Sequence, residues 1–407
     1  MLGCMGVPEG YIPSRHGADV AEGRRMGRQL RWLIRGNPDP SPQQWRAMGE
    51  SLMQGDAPTD RLVDWMNQAG MRTAKPMFDA ALDQGIASIA DAPAPLREFF
   101  AGVDQLPSWA DPALMAAGAH ACHISGMAGL YALREALMTG YQASAINQTL
   151  ILTGALARGA QRRIAETTKW WIDVTAEGGL QRFSEGFKST LQVRLIHALV
   201  RRQLLIKPEW KTEQWGVPIN QGDMLATNLG FSVVFLLGQR MLGVPLLPRE
   251  AEAVMHLWRV IGWLMGVEQH WLPQSEAQGR VLLYQNLLAQ APPDDSSVQL
   301  GRALMDEPLH RYYPRFKALR ARYEHARHLS LDALFLGRAG MRALGLPFAL
   351  PWYPLASAPV RAAWHLAHRL LPGGRSRLVG SGRAAQTGYL PILFGPEAPA
   401  IKRALSV

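Results

Sequence analysis

The chemistry of this chain is most concentrated at Arg194-Leu-Ile-His197-Ala-Leu-Val-Arg201. The segment lies in a strongly helical run. Residues three and four apart in a helix share a face, so His197 sits between two guanidinium groups along one stripe. A neutral imidazole can ligate a metal, and flanking cations can pair carboxylates carried by that metal's own cofactor. A haem fits that description, with His197 as iron ligand and Arg194 and Arg201 as cofactor-binding residues. The competing reading gives the two cations protein carboxylates, for which Asp173, Glu177 and Glu185 are near in sequence.

One helix earlier stands Arg162-Arg163-Ile-Ala-Glu166-Thr167. Arg163, Glu166 and Thr167 share a face through their i, i+3, i+4 relation. An Arg163–Glu166 pair beside the Thr167 hydroxyl could orient bound dioxygen or a ligand carbonyl; the same spacing also describes a surface ion pair. Three His-x-x-His pairs occur, at His120/His123, His325/His328 and His365/His368. None has carboxylate or thiolate company at metal-site spacing. His120 and His123 lie in an apolar tract and are weak pocket candidates, while the other four read as partly exposed helix histidines.

Common catalytic signatures are missing: no P-loop, no H-E-x-x-H and no G-x-S-x-G. A di-iron bundle would need two Glu-x-x-His pairs, whereas only Glu307-x-x-His310 exists, with Pro308 inside it. Cys4 and Cys122 build no disulfide framework, and neither stands in C-x-x-C-H, so a haem here is non-covalent.

The elements that must position these residues read as helices throughout. Hydrophobic content of 48% with 19% charged residues, and a mean hydropathy of −0.07, describe a soluble body with a large core. Period-two alternation is almost absent, so the fold class is all-α, a large single helical domain. Helices are expected over about 113–140, 149–175, 184–206, 222–242, 248–268, 274–290, 314–326, 330–344 and 358–371. The partition is an N-terminal arm (1–59), a main domain (60–350) and a basic C-terminal segment (351–407), whose last part from Gly373 is rich in Gly, Pro and Ser and reads as loop.

No secretory signal and no long apolar span is visible, which makes the expected location cytoplasmic. The net charge of +10 is uneven. Between Arg311 and Arg383 thirteen Arg or Lys face only Glu324 and Asp332, so the rest is close to neutral. A basic stretch of this kind suits an anionic membrane surface, with no specific nucleic-acid partner expected. In the helix beginning at Pro359, Val360, Trp364, Ala367 and Leu371 share one side and Arg361, His365, His368 and Arg369 the other. It could lie on an anionic bilayer or cap the core.

Leu106-Pro-Ser-Trp109, Thr153-Gly154, Arg162–Thr167, Gly178-Gly-Leu180, Val193–Arg201 and Pro218–Asp223, in this order, resemble the haem-b oxygenases of the latex-clearing (rubber oxygenase) and MpaB type. The likeness spans roughly residues 90–345. It implies a globin-like helical core, haem b on His197 as proximal ligand, Arg194 and Arg201 as its flanking arginines, and Arg163 and Thr167 on the distal side. It also implies addition of dioxygen across an isoprenoid double bond with cleavage to carbonyls. Two positions depart from the latex-clearing pattern. Glu166 stands where a distal lysine is found, and 143–148 offers no carboxylate where a base is found. A smaller apolar substrate than the polymer is therefore expected. The alternatives from other classes are a haem carrier or sensor without turnover, and a haem-free helical interaction protein with a basic membrane-binding tail.

Overall fold

The computed structural model describes residues 10–154 and 160–400, and every regular element among them is a helix. Local signals set many of the boundaries. Ser41 caps Pro42–Ser51 in a reciprocal capping box with Gln44, and the Asp111 carboxylate accepts from Ala113 and Leu114 at the start of Pro112–Ile124. The expected helix over 184–206 is Glu185–Leu205, and that over 248–268 is Pro248–Leu264.

Elsewhere the sequence pattern runs across breaks. The 113–140 tract is two helices, Pro112–Ile124 and Gly126–Gly140. The 222–242 run is Gln221–Leu229 and Phe235–Met241 joined by a π-turn at Gly230–Val234. Of the 149–175 run, Ala160–Val174 is one helix and the start belongs to Ser144–Leu152, while 155–159 lie outside the described residues. Conversely, 314–326 and 330–344 merge into Lys317–Ala343, broken only where Gly337 adopts φ 61°, ψ −178°. That combination is open essentially to glycine alone.

The core is built on Pro112–Ile124 against Pro248–Leu264, with the His197 helix packed on Ala57–Ala69, Ala160–Val174 and Pro248–Leu264. One expectation fails outright. Over Gly374–Phe394 the C-terminal segment is no loop but a helix whose Leu378, Leu390, Leu393 and Phe394 are buried in the main core, while 395–400 are non-helical and 401–407 lie outside the described residues. Its small residues, which suggested disorder, permit close approach. A side chain at Gly382 would stand 1.9 Å from the His123 carbonyl, and the Gln386 amide donates to the carbonyls of Cys122 and Gly126. Among the described residues no helix is long and apolar enough to cross a membrane.

Candidate functional site

A cavity of about 1850 Å³ opens between the His197 helix, the Arg163 helix and the segments Gly126–Leu152, Gln221–Val234 and Lys317–Ala343. Its wall is largely apolar, with Leu137, Ile196, Phe231 and Trp258 among the contributors. His197 borders it from the middle of its helix, and the Nδ1 atom is buried without a hydrogen-bond partner. Burial, reinforced by the Arg201 charge and opposed only partly by Asp56, lowers the imidazole pKa to about 4. His197 is therefore neutral at pH 7, the state in which a ring nitrogen can bind a metal.

The flanking arginines do not face the cavity, which corrects their assignment as partners of cofactor carboxylates. Positions seven apart fall within about 20° of each other around a helix, while His197 lies roughly 60° from Arg194 and about 40° from Arg201, on the same side of both. Arg194 and Arg201 accordingly turn together toward Ala57–Ala69 and leave His197 to the cavity. Arg194 makes a bidentate pair with Asp56, Nε to Oδ2 at 2.6 Å and Nη2 to Oδ1 at 2.8 Å, and donates from Nη1 to the Leu264 carbonyl. Burial alone would raise the Asp56 carboxyl, but the Arg194 charge and hydrogen bonds overcome it and hold the pKa below the usual carboxylate value. Arg201 pairs with Asp60 and donates to the carbonyls of Pro218 and Ile219. For Asp60 burial prevails and the pKa is raised.

The protein carboxylates are thus Asp56 and Asp60. Asp173 pairs with Lys169, and Glu177 with His120. The Pro218–Asp223 motif is a brace for the same region. Asn220 caps its helix by accepting from Asp223 N, Gln221 donates to the Gly55 and Gly266 carbonyls, and Asp223 receives Arg15 at 2.8 Å.

On the second constellation the structure places Arg163, Glu166 and Thr167 along the cavity, together with Arg162. The expected Arg163–Glu166 pair is not made. Arg162 reaches Glu166 at 2.7 Å, one turn along, and also Glu397 at 2.6 Å. Arg163 instead approaches the Tyr141 hydroxyl at 3.5 Å, which leaves most of its donors for the cavity. Lys169 faces away and is absent from the wall. Asn147, from the stretch without a carboxylate, borders the cavity with its Oδ1 buried and unpartnered.

The other histidines also differ from expectation. His120 and His123 do not line this cavity; His120 meets Glu177 at 3.0 Å and His123 the Thr175 carbonyl at 2.7 Å. His328 and His365 are buried rather than exposed. His328 edges the cavity beside Arg311 and Tyr389, accepting from Arg311 at 3.1 Å. Burial, and then the charges of Arg134, Arg311 and Arg327, drive its pKa well below the ordinary value. Sequence reasoning missed this cluster, because Arg134, Arg311 and His328 are far apart in the chain.

The donor set at His197 suits a metal that arrives with its own ligand ring. Among the described residues no three His, Cys, Asp or Glu side chains converge as metal ligands, so the imidazole stands alone. A neutral ring without a protein partner, at the wall of a cavity larger than ordinary ligand sites, fits a haem. The departure from expectation is Nδ1, which finds neither the carbonyl nor the carboxylate that commonly orients a ligating histidine.

Comparison with known proteins agrees with the fold. A solved structure of latex clearing protein LCP in the closed state superposes with a TM-score of 0.64 over 84% of this chain and 91% of that one, at 20% identity. The rubber oxygenase of Streptomyces sp. (strain K30) is 27% identical over 239 residues, which is 56% of each chain, so the match spans about half the length of that relative. Residues 115–369 match the model of the family described as ER-bound oxygenase mpaB/B'/rubber oxygenase, catalytic domain. With more than half of its length inside that match, the chain belongs to the MpaB/rubber oxygenase family.

Proposed function

We propose that this protein holds haem b through His197 and oxygenates an apolar, isoprenoid-like small molecule with dioxygen. The observation that carries the reading is the neutral, unpartnered imidazole of His197 at the wall of a large apolar cavity. Haem iron, when bound, supplies dioxygen chemistry that side chains lack. The residues of this chain supply the rest.

His197 offers a ring nitrogen that needs no deprotonation at neutral pH, and its helix is fixed in azimuth by the Arg194–Asp56 and Arg201–Asp60 pairs. Those pairs serve as positioning elements. Leu137, Ile196, Phe231 and Trp258 keep water from the substrate chain and favour a hydrocarbon by burial. Arg163 and Thr167 are the donors that can hold an oxygen atom in this apolar setting. Glu166 is engaged by Arg162 one turn away, which makes it a partner for that arginine rather than a donor into the cavity. The family resemblance supports cleavage of a carbon–carbon double bond to two carbonyl groups as the reaction.

The test is dioxygen uptake by the haem-loaded protein with short isoprenoids, with carbonyl products identified by mass spectrometry. Substrate-dependent uptake that is lost in His197→Ala supports the reading. A haem-loaded protein that consumes no dioxygen with any apolar olefin would instead be a carrier or sensor.

A further inference from the structure

The Trp352–Leu370 helix is packed inside out. Every exposed position from 352 to 371 carries an apolar residue, among them Trp352, Leu355, Val360, Trp364, Leu366 and Leu370, with exposures from 43% at Trp352 to 86% at Leu370. The polar side faces inward. His365 is buried, Arg361 donates to the Leu242 carbonyl, and Arg369 pairs with Glu250 at 2.6 Å. A helix that merely caps a core would show the opposite arrangement. A contiguous apolar face of this size on a folded chain marks a docking surface.

Charge identifies what docks. The two acids between 311 and 383 are turned inward, Asp332 to Arg134 and Glu324 to Arg327. The exposed charged side chains of 311–383, including Arg320, Arg322, Arg342 and Arg377, are therefore all cationic. The patch continues onto the preceding helix, where the Tyr323 and Trp352 rings lie 6.1 Å apart. We infer that this face docks on an anionic lipid bilayer, with the apolar side chains entering the interface and the arginines meeting headgroup phosphates. A second copy of the chain fits less well, because a two-fold contact would set the cationic rim against itself.

The patch also adjoins the cavity. Gly337, Arg338 and Ala339 form part of the cavity wall, and the Arg338 guanidinium stacks over the exposed Phe348 ring at 4.8 Å. An apolar molecule dissolved in the bilayer would therefore meet the cavity at the docking face. The docking itself does not depend on the oxygenase reading.

The experiment is co-sedimentation of the full-length protein with vesicles of phosphatidylcholine alone and of phosphatidylcholine containing phosphatidylglycerol. Binding to the anionic vesicles should exceed binding to the neutral ones by about tenfold and weaken in high salt. The variant Val360→Ser/Trp364→Ser/Leu370→Ser should lose roughly tenfold or more with both lipids while its circular dichroism is unchanged. Arg322→Ser/Arg377→Ser should lose only the anionic preference. Failure of the wild-type protein to sediment with either vesicle overturns the inference. So does a dimer in sedimentation velocity that the triple variant abolishes, since the face would then belong to a second copy.

Discussion

Arg194 and Asp56, 138 residues apart, form a bidentate ion pair with both side chains buried. The pair turns the arginine stripe of the His197 helix away from the cavity. Removing the carboxylate would leave a guanidinium in the interior without its counter-ion, a change that costs roughly 3–5 kcal/mol. Asp56→Ala should therefore lower the urea midpoint sharply, whether or not haem is present. If Arg194 instead served cofactor carboxylates, the variant would match the wild type in the apo state.

Two groups at the His197 helix contribute to the acid side of the stability profile. His197 has its pKa lowered to about 4 from 6.5, so the unfolded chain binds the proton more tightly than the folded one. Its contribution is fully present above about pH 6.5 and disappears as pH falls toward 4. Asp56, with a lowered carboxyl pKa, contributes above its unfolded value, and that contribution is lost as pH falls through the folded value. Apo-protein stability should thus decline from pH 7 to pH 4, and His197→Phe should flatten the upper part of that decline in chemical denaturation.

Arg163 and Thr167 are expected to act on turnover more than on cofactor retention. Arg163→Met or Thr167→Val removes one donor from the cavity, a loss of about 1.5–3 kcal/mol if it holds a charged oxygen, or roughly ten- to hundredfold in kcat. Haem content should stay near the wild-type value. Glu166→Gln tests the opposite assignment. It breaks a partly exposed i, i+4 pair with Arg162, should cost under about 1 kcal/mol of stability, and should leave the pH–rate profile unchanged.

Gly337 interrupts the Lys317–Ala343 helix with φ 61°, ψ −178°. No atom within 4 Å would collide with a new Cβ, so the penalty for Gly337→Ala is one of backbone conformation alone. A loss of about 1–3 kcal/mol is expected, measured by thermal or urea unfolding.

Periodicity grouped Arg163, Glu166 and Thr167, which do border the cavity, because local spacing fixes which side chains share a face; it also set His197 on one stripe with Arg194 and Arg201, which turn away from that cavity. It could not supply the partners across the fold. Asp56, Asp60 and Asp64 recur every four residues and meet Arg194, Arg201 and Arg202, a signal present in the sequence but meaningful only once two helices are known to pack. The Trp352–Leu370 helix was legible as amphipathic, yet which side is buried depends on the Leu242 carbonyl and Glu250 waiting for Arg361 and Arg369. Gly374–Phe394 was hidden for another reason. Glycines that lower local helix propensity also allow its backbone to approach Pro112–Ile124, and tertiary packing outweighs propensity there.

The central claim is ligation of haem iron by His197, and the visible spectrum tests it most directly. The protein purified from haem-replete cells, or titrated with hemin, should show an intense Soret band at about one haem per chain. His197→Ala should lose or strongly shift that band while its far-ultraviolet circular dichroism stays the same. An unchanged Soret band in the folded variant, or a wild-type protein that takes up no hemin, would contradict the account.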